Sequence, residues 1–198
     1  MTERTDLSAL VSSRICHDLI SPIGAIGNGV ELLVMDASTT SPEMELISDS
    51  VSNANARIRF FRIAFGTASP DARMSIGEAK LILSDLENAG RNRFVWTGES
   101  DLSRHEVKLV FLIILCLETA LAYGGTIRIE RQDGRWNVYA QGDKLNIDPQ
   151  VWGLLADQNT KASVLPAHVQ FLLLPDEVQR QHRRLTTEIG RTEIRFTF

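Results

Sequence analysis

The sequence contains little cysteine and has no large excess of charge of either sign. Its two cysteines, Cys16 and Cys116, are far apart and form no C-x-x-C pair, so neither a zinc site nor a redox pair is predicted. The formal net charge of -4 gives no general attraction to nucleic acid or to anionic lipid. We therefore expect a reducing compartment and no direct binding to nucleic acid.

Long apolar runs are also lacking. The most apolar stretch, residues 107–123, is interrupted by Glu118 and is predicted to be a buried helix rather than a membrane span. Residues 1–10 are polar and do not resemble a signal peptide. A hydrophobic content of 43% with 23% charged residues is typical of a packed globular protein. We expect a cytoplasmic protein that does not associate with membranes.

The first third of the chain has the periodicity of two helices. Between residues 7 and 35, apolar side chains recur at steps of three and four, which predicts one long helix with a buried stripe. The stripe consists of Val11, Ile15, Leu19, Ile23, Ile26, Val30 and Leu33. After a turn at residues 36–41, Ser41 and Pro42 begin a second helix, which ends at Gly66. Its stripe consists of Ile47, Val51, Ala54, Ile58, Phe61 and Phe65.

Two helices joined by a short turn predict an antiparallel hairpin. Because each helix of a hairpin has only one neighbour, we expect two chains to associate into a homodimeric four-helix bundle. Residues 66–73 contain Gly, Ser, Pro and Asp and are predicted to be a linker. The predicted units are therefore a helical hairpin at residues 1–68 and a second domain at residues 74–198.

The second half of the chain has mixed helix and strand signals. Ser103 and Glu106 have the spacing of a capping box, which predicts a helix that continues to Gly124. Two β-rich runs are joined by Asp133 and Gly134 and predict a β-hairpin. The predicted helices lie at residues 77–88 and 167–174, with a short helix that starts at Asp148 and Pro149. The predicted strands lie at residues 94–97, 126–130, 135–140, 186–189 and 193–198. This order predicts an α+β sandwich with helices on one face of a partly antiparallel sheet.

One histidine of the first helix has an unusual setting. Successive helical residues are rotated by about 100°, so His17 lies almost opposite the apolar stripe and is predicted to face solvent. Small uncharged residues share this face: Ser13, Ser21, Gly24 and Asn28. Such a flat face suits the docking of a partner protein. A surface histidine without a role is the alternative.

The neighbours of His17 fit a nucleophile. Asp18 can accept a hydrogen bond from one imidazole nitrogen and leave the other free to attack. In an antiparallel hairpin the second helix passes His17 near Arg57, Arg59 and Arg62. Arginines bind phosphate or an acidic partner well, although a solvated basic face gives the same pattern.

The string His17-Asp18-Leu19-Ile20-Ser21-Pro22, preceded by Arg14-Ile15-Cys16, resembles the H-box of dimeric sensor histidine kinases. The longer run from residue 14 to residue 33, RICHDLISPIGAIGNGVELL, resembles the ChpT-type histidine phosphotransferases of alphaproteobacteria. The resemblance implies a homodimer with a kinase-like hairpin and a degenerate ATPase-like domain. It also implies a phosphotransferase in which His17 accepts a phosphoryl group from the receiver domain of a hybrid histidine kinase and passes it to response regulators.

The second domain departs from the kinase pattern at both nucleotide motifs. Glu118 and Thr119 occupy the place of the asparagine that binds magnesium in kinases. Residues 140–144, Ala-Gln-Gly-Asp-Lys, occupy the place of the Asp-x-Gly-x-Gly box. We therefore expect that this chain binds neither ATP nor any other cofactor, and that Mg²⁺ belongs to the partner receiver domain.

The candidate site combines these observations. His17 is the predicted phosphoacceptor, and Asp18 is predicted to orient its imidazole. The candidates for docking or for stabilising phosphate are Ser13, Arg14, Ser21, Gly24, Asn28, Arg57 and Arg62. Three other histidines have no metal-ligand partner at helical spacing, so no metal site is predicted: His105, His168 and His182. Two alternatives stay open, an ATP-dependent histidine kinase core and a non-catalytic dimeric adaptor that binds receiver domains.

Overall fold

A hairpin of two long helices opens the chain. The computed structural model describes residues 6–35, 42–69, 71–98, 101–157 and 164–198. Helix α1 spans Leu7–Met35 and helix α2 spans Pro42–Ala64, so both predicted helices are confirmed. Asp6 caps α1, because its Oδ1 accepts hydrogen bonds from the backbone N–H groups of Ser8 and Ala9. The predicted turn at residues 36–41, including the predicted cap Ser41, lies outside the described residues.

The end of α2 is determined by a close backbone approach. The helix ends at Ala64, two residues before the predicted stop. A Cβ atom on Gly66 would lie only 2.1 Å from the carbonyl oxygen of Arg62, so no other residue fits there without a shift of the backbone.

The predicted apolar stripe of α1 is only partly buried in the single chain. Ile23 is 58% exposed and Val30 is 47% exposed, whereas Pro22 and Gly29 are buried. The expectation that the whole stripe is covered is therefore wrong for one chain. A hairpin covers only one side of each helix, so Ile23 and Val30 stay exposed while the other members of the stripe are half-buried.

The hairpin shares one hydrophobic core with the rest of the chain. Phe60, Phe61 and Ala64 of α2 pack in the same cluster of buried residues as the apolar side chains of residues 107–121. The rings of Phe60 and Phe111 stack with centroids 4.5 Å apart. The division at residues 68 and 74 remains a prediction, and the packing fixes α2 firmly against the second half.

The second half is built on a five-stranded sheet with the order β2-β4-β5-β7-β6. The strands are β2 Asn92–Thr97, β4 Gly125–Gln132, β5 Arg135–Gln141, β6 Thr186–Ile189 and β7 Glu193–Thr197. Strands β2 and β4 are parallel and the other neighbours are antiparallel. Asp133 and Gly134 both have positive φ and form the tight turn of the predicted hairpin. A small ribbon of β1 Arg73–Ser75 and β3 Asp101–Ser103 was not predicted.

Helices cover one face of this sheet. They are α3 Ile76–Ala89, α4 Arg104–Ala120, α5 Pro149–Gly153 and α6 Gln170–Arg180, with a 3₁₀ turn at Pro166–His168. The inward side chains of β5, Trp136, Val138 and Ala140, are buried and alternate with more exposed residues. The mixed α+β class is therefore confirmed. No helix among the described residues is long and apolar enough to cross a membrane.

Helix α4 begins at the predicted position, but the prediction that Ser103 and Glu106 form a capping box is wrong. Ser103 is the N-cap residue, but its side chain makes no capping hydrogen bond. The Glu106 carboxylate is buried and forms ion pairs with Arg183 and, at 3.6 Å, with Arg131. Because the Glu106 carboxylate forms these ion pairs with distant residues, it does not cap the start of the helix. Helix α4 ends at Ala120, four residues before the predicted end at Gly124, and Leu121 is its C-cap.

A second buried carboxylate joins α4 to α6. Glu177 is 6% exposed, and its carboxylate lies 3.0 Å from Lys108 and 3.8 Å from Arg180. Burial raises the pKa of Glu177. Hydrogen bonds from Gln181 and Lys108 and the charges of Lys108 and Arg180 outweigh that effect, so the pKa lies below its usual value.

We expect Glu177→Gln to lower the free energy of unfolding by about 1–3 kcal/mol at neutral pH, because Lys108 loses a buried charged partner. The folded-state pKa of Glu177 is below its reference value of 4.5, so this stabilisation is present above that pH and is lost as the pH falls through the folded-state pKa. Urea unfolding at a fixed protein concentration should show the difference from wild type shrinking on acidification. Glu188→Gln, in an exposed pair, is the control and should change stability by less than about 0.5 kcal/mol. A Glu177→Gln difference that is independent of pH would contradict this assignment.

Candidate functional site

His17 stands out from the surface of α1. Its side chain is 80% exposed. Four predicted neighbours on this face are exposed as well: Ser13, Ser21, Gly24 and Asn28. A Cβ atom on Gly24 would meet nothing within 4 Å, so packing within the chain does not require glycine there. The described part of α1 therefore presents an imidazole on a flat surface that is open to another molecule.

Asp18, the next residue, has the opposite environment. Its side chain is only 10% exposed, and its Oδ1 atom lies 3.1 Å from Nδ1 of His17. When Nδ1 carries the proton, it donates to this carboxylate, and the lone pair of Nε2 remains free on the solvent side. This contact can select the tautomer that a nucleophilic imidazole needs.

Two arginines hold the other oxygen of Asp18. The Nε atom of Arg14 donates to Asp18 Oδ2 at 2.9 Å, and Nη1 of Arg57 lies 3.5 Å from the same oxygen. The guanidinium of Arg14 also donates to the backbone carbonyl of Ala167, and Nε of Arg57 donates to Asn53 Oδ1 at 3.1 Å. Each arginine is anchored at a second point, so the carboxylate is held in a fixed position.

Of the predicted arginines of α2, only Arg57 reaches Asp18. Arg59 pairs with Asp85 of α3 at 2.5 Å. Arg62 is exposed and lies five residues beyond Arg57, about 7.5 Å along the helix axis. Arg14 is 13% exposed and points into the protein. The structure therefore gives Arg14 and Arg57 contacts with Asp18, whereas the roles of Arg59 and Arg62 remain predictions.

A cavity of about 300 Å³ separates the hairpin from the second domain behind this site. Arg14, Asp18 and Arg57 line one side, and Glu118 of α4 and Arg91 line the other. Burial raises the pKa of Glu118, while the charges of Arg57 and Arg14 lower it and that of Asp18 raises it. From the sequence alone, Glu118 is a departure from the kinase pattern and an interruption of an apolar helix. That interruption is the sequence signal that points to this position.

The positions of the kinase nucleotide motifs are engaged in internal contacts. The hydroxyl of Thr119 donates to the carbonyl of Cys116 at 2.7 Å. Cβ atoms built on Gly125 and Gly142 would lie 2.7 Å and 2.8 Å from the side chain of Leu121. The backbone N–H of Asn146 donates to the carbonyl of Ala120 at 2.8 Å. These glycines are explained by tight packing around Leu121.

The other histidines lie apart from this arrangement. His105 is 3.9 Å from Glu177, and His182 follows α6 with a positive φ. His168 packs against Phe171, and burial lowers its pKa, while Asp148 raises it and Arg14 lowers it. Among the described residues, no three His, Cys, Asp or Glu side chains are grouped so that they could hold a metal ion.

Comparison with known proteins gives concordant matches. The family described as histidine phosphotransferase C-terminal domain matches residues 76–193. The protein phosphotransferase ChpT of Brucella abortus (strain 2308) is 36% identical over 151 residues, which cover 73% of this chain and 72% of that protein. A solved structure of a bacterial phosphotransferase is 31% identical and superposes with a TM-score of 0.81, covering 100% of this chain and 97% of the other.

These matches identify the class of protein as a phosphotransferase, and its fold joins a helical hairpin to a mixed α+β domain. The chain belongs to the ChpT-type histidine phosphotransferase family.

The contact between Asp18 and His17 makes a prediction for the imidazole tautomer. In the wild type we expect neutral His17 to carry its proton mainly on Nδ1, because Asp18 accepts from that atom. Asp18→Ala removes the acceptor and should move the proton population towards Nε2, which ¹⁵N chemical shifts of the ring nitrogens report. Glu31→Ala, an exposed acid on the same helix, should leave these shifts unchanged. Identical shifts in all three proteins would contradict the assigned contact.

Proposed function

We propose that this chain relays a phosphoryl group from the receiver domain of a hybrid histidine kinase to the receiver domains of response regulators, through a phosphohistidine at His17. The observation that carries the proposal is an imidazole whose Nδ1 side is held by a buried carboxylate while its Nε2 side faces solvent. A receiver that docks on the face of Ser13, Ser21, Gly24 and Asn28 brings its aspartyl phosphate to this nitrogen.

The chemistry balances without an added reactant. Nε2 attacks the phosphorus of the acyl phosphate, a P–N bond forms, and the P–O bond to the receiver aspartate breaks to release its carboxylate. The proton on Nδ1 stays in place, and Asp18 stabilises the positive charge that develops on the ring. The reverse step passes the phosphoryl group to the aspartate of a second receiver. The aspartyl phosphate and the phosphohistidine are both energy-rich, so alignment of the reacting atoms supplies most of the catalysis.

The second domain supports a reaction without ATP. The hydroxyl of Thr119, at the place of the magnesium-binding asparagine, is engaged with its own helix. The side chain of Leu121 fills the space between Gly125 and Gly142, where an approach to phosphate would need open glycine backbone. On this proposal Mg²⁺ is supplied by the receiver, and the chain itself holds no cofactor.

Exposed apolar rows on the hairpin support a homodimer. Ile23 and Val30 of α1 are seven residues apart, and so are Met44, Val51 and Ile58 of α2; all five are more than 40% exposed. A seven-residue repeat of apolar side chains is typical of helices that pack along a seam. We propose that a second copy covers these rows and completes a four-helix bundle, which leaves the polar face of His17 open.

The relay predicts acid-labile labelling of His17. A receiver domain that carries ³²P-aspartyl phosphate should transfer label to the wild-type chain, and His17→Ala should abolish this transfer. His105→Ala, on the first turn of α4, is the matched control and should be labelled normally. Absence of label in the wild type would favour a non-catalytic adaptor. Strong labelling by ATP and Mg²⁺ without a receiver would favour a kinase core.

The bundle predicts that one charge on the exposed row dissociates the dimer. Ile23→Glu places a carboxylate in the apolar seam, where desolvation is costly, and sedimentation equilibrium should show a shift from dimer to monomer. Leu81→Glu is a matched control, because Leu81 of α3 is 56% exposed but lies outside the hairpin. A wild-type protein that sediments as a monomer would contradict the homodimer.

A further inference from the structure

Glu118 is an acid that directly follows the buried apolar run of α4. Every residue of α4 from Leu109 to Leu117 is buried, and Glu118 follows at the point where the helix faces the hairpin. Its side chain lines the cavity behind the candidate site, together with Arg14, Asp18 and Arg57. Among the described residues it makes no ion pair within 4.0 Å. Neither packing nor direct pairing therefore explains an acid at this position.

The cavity is lined by charged groups of both signs. Asp18, Arg14 and Arg57 of the hairpin and Glu118 of α4 all line it. Both arginines act on Glu118 by charge, while both contact Asp18 directly, at 2.9 Å and 3.5 Å. Arg91 of the segment between α3 and β2 is the remaining charged group that lines the cavity.

We propose that Glu118 is a positioning residue for His17, which acts through the two arginines on Asp18. This inference rests on the phosphorelay proposed above. With Glu118 ionised, the positive charge of Arg14 and Arg57 is shared between two carboxylates. Asp18 is then a stronger hydrogen-bond acceptor towards the imidazole, because less of its charge is neutralised by the arginines.

Neutralisation of Glu118 has the opposite effect. Asp18 is then the one carboxylate that balances Arg14 and Arg57. The stronger attraction draws the Asp18 carboxylate towards the arginines and weakens its contact with Nδ1 of His17. The proton on Nδ1 is held less firmly, and the charge that develops on the ring during phosphoryl transfer is less well stabilised. The second domain thereby contributes to the chemistry of a histidine that lies on the hairpin.

The test compares Glu118→Gln with Glu130→Gln, which makes the same change at a half-buried acid of β4 outside the cavity. Single-turnover transfer from a phosphorylated receiver to Glu118→Gln should be slower by about fivefold, which corresponds to ~1 kcal/mol of barrier. Glu130→Gln should transfer at the wild-type rate. Equal rates for the two variants would overturn the role of Glu118 while leaving the relay itself intact.

Two further readouts separate positioning from a structural effect. The ¹⁵N shifts of His17 should move towards the Nε2-protonated form in Glu118→Gln, and this measurement needs no receiver, so it stands even if the chain fails to transfer phosphate. Glu118→Asp keeps the charge and should restore more than half of the wild-type rate. Unchanged ¹⁵N shifts in Glu118→Gln, or an Asp variant as slow as the Gln variant, would overturn the proposal.

The pH profile gives a third readout. Because the pKa of Glu118 is raised in the folded chain, its charge is lost at a higher pH than that of an ordinary glutamate. As the pH falls, the wild type should lose its advantage and its transfer rate should converge on that of Glu118→Gln. Parallel profiles for the two proteins would show that the charge of Glu118 has no influence on transfer and would overturn the proposal.

Discussion

The hydrogen bond between His17 and Asp18 is the interaction on which the site depends. The two residues are neighbours in the chain, and a helix turns by about 100° between them. The imidazole is therefore 80% exposed while the carboxylate is 10% exposed. A partner protein needs access to the imidazole, and a carboxylate that is largely removed from water needs cationic partners to stay charged. Adjacent positions on one helix satisfy both requirements.

The burial of Asp18 in turn depends on contacts outside α1. Arg14 is held by the carbonyl of Ala167, which belongs to the 3₁₀ turn before α6. Arg57 lies one turn of α2 before Phe60, whose ring stacks on Phe111 of α4. Arg14 is thus held by the second half of the chain, and Arg57 lies on a helix that packs against it. The site is located on the hairpin, but its geometry is a property of the whole chain.

Local patterns were enough to predict most elements of the fold. The steps of three and four in residues 7–35 predicted α1, and Asp133-Gly134 predicted the β-hairpin, because both signals depend on residues close in the chain. The capping box predicted for Glu106 is wrong because the Glu106 carboxylate pairs with Arg183, 77 residues away. A local sequence pattern carries no information on such a distant partner. The same limit applies to the site. Hairpin geometry predicted that Arg57 lies near His17, whereas its contact with Asp18 and the nearness of Glu118 and Ala167 needed the tertiary structure.

Two glycines of the second half of the chain lie where other groups approach closely. A Cβ atom on Gly125 would lie 2.4 Å from the backbone carbonyl oxygen of Gln141, so packing requires glycine there. A Cβ atom on Gly142 would lie 2.8 Å from the end of the Leu121 side chain, which would have to shift. Glu118 and Thr119 lie on the same helix turn, and one faces the hairpin while the other bonds to its own backbone. The end of α4 therefore lines the same cavity as the arginines that hold Asp18, so the second half of the chain contributes to the surroundings of the site on the hairpin.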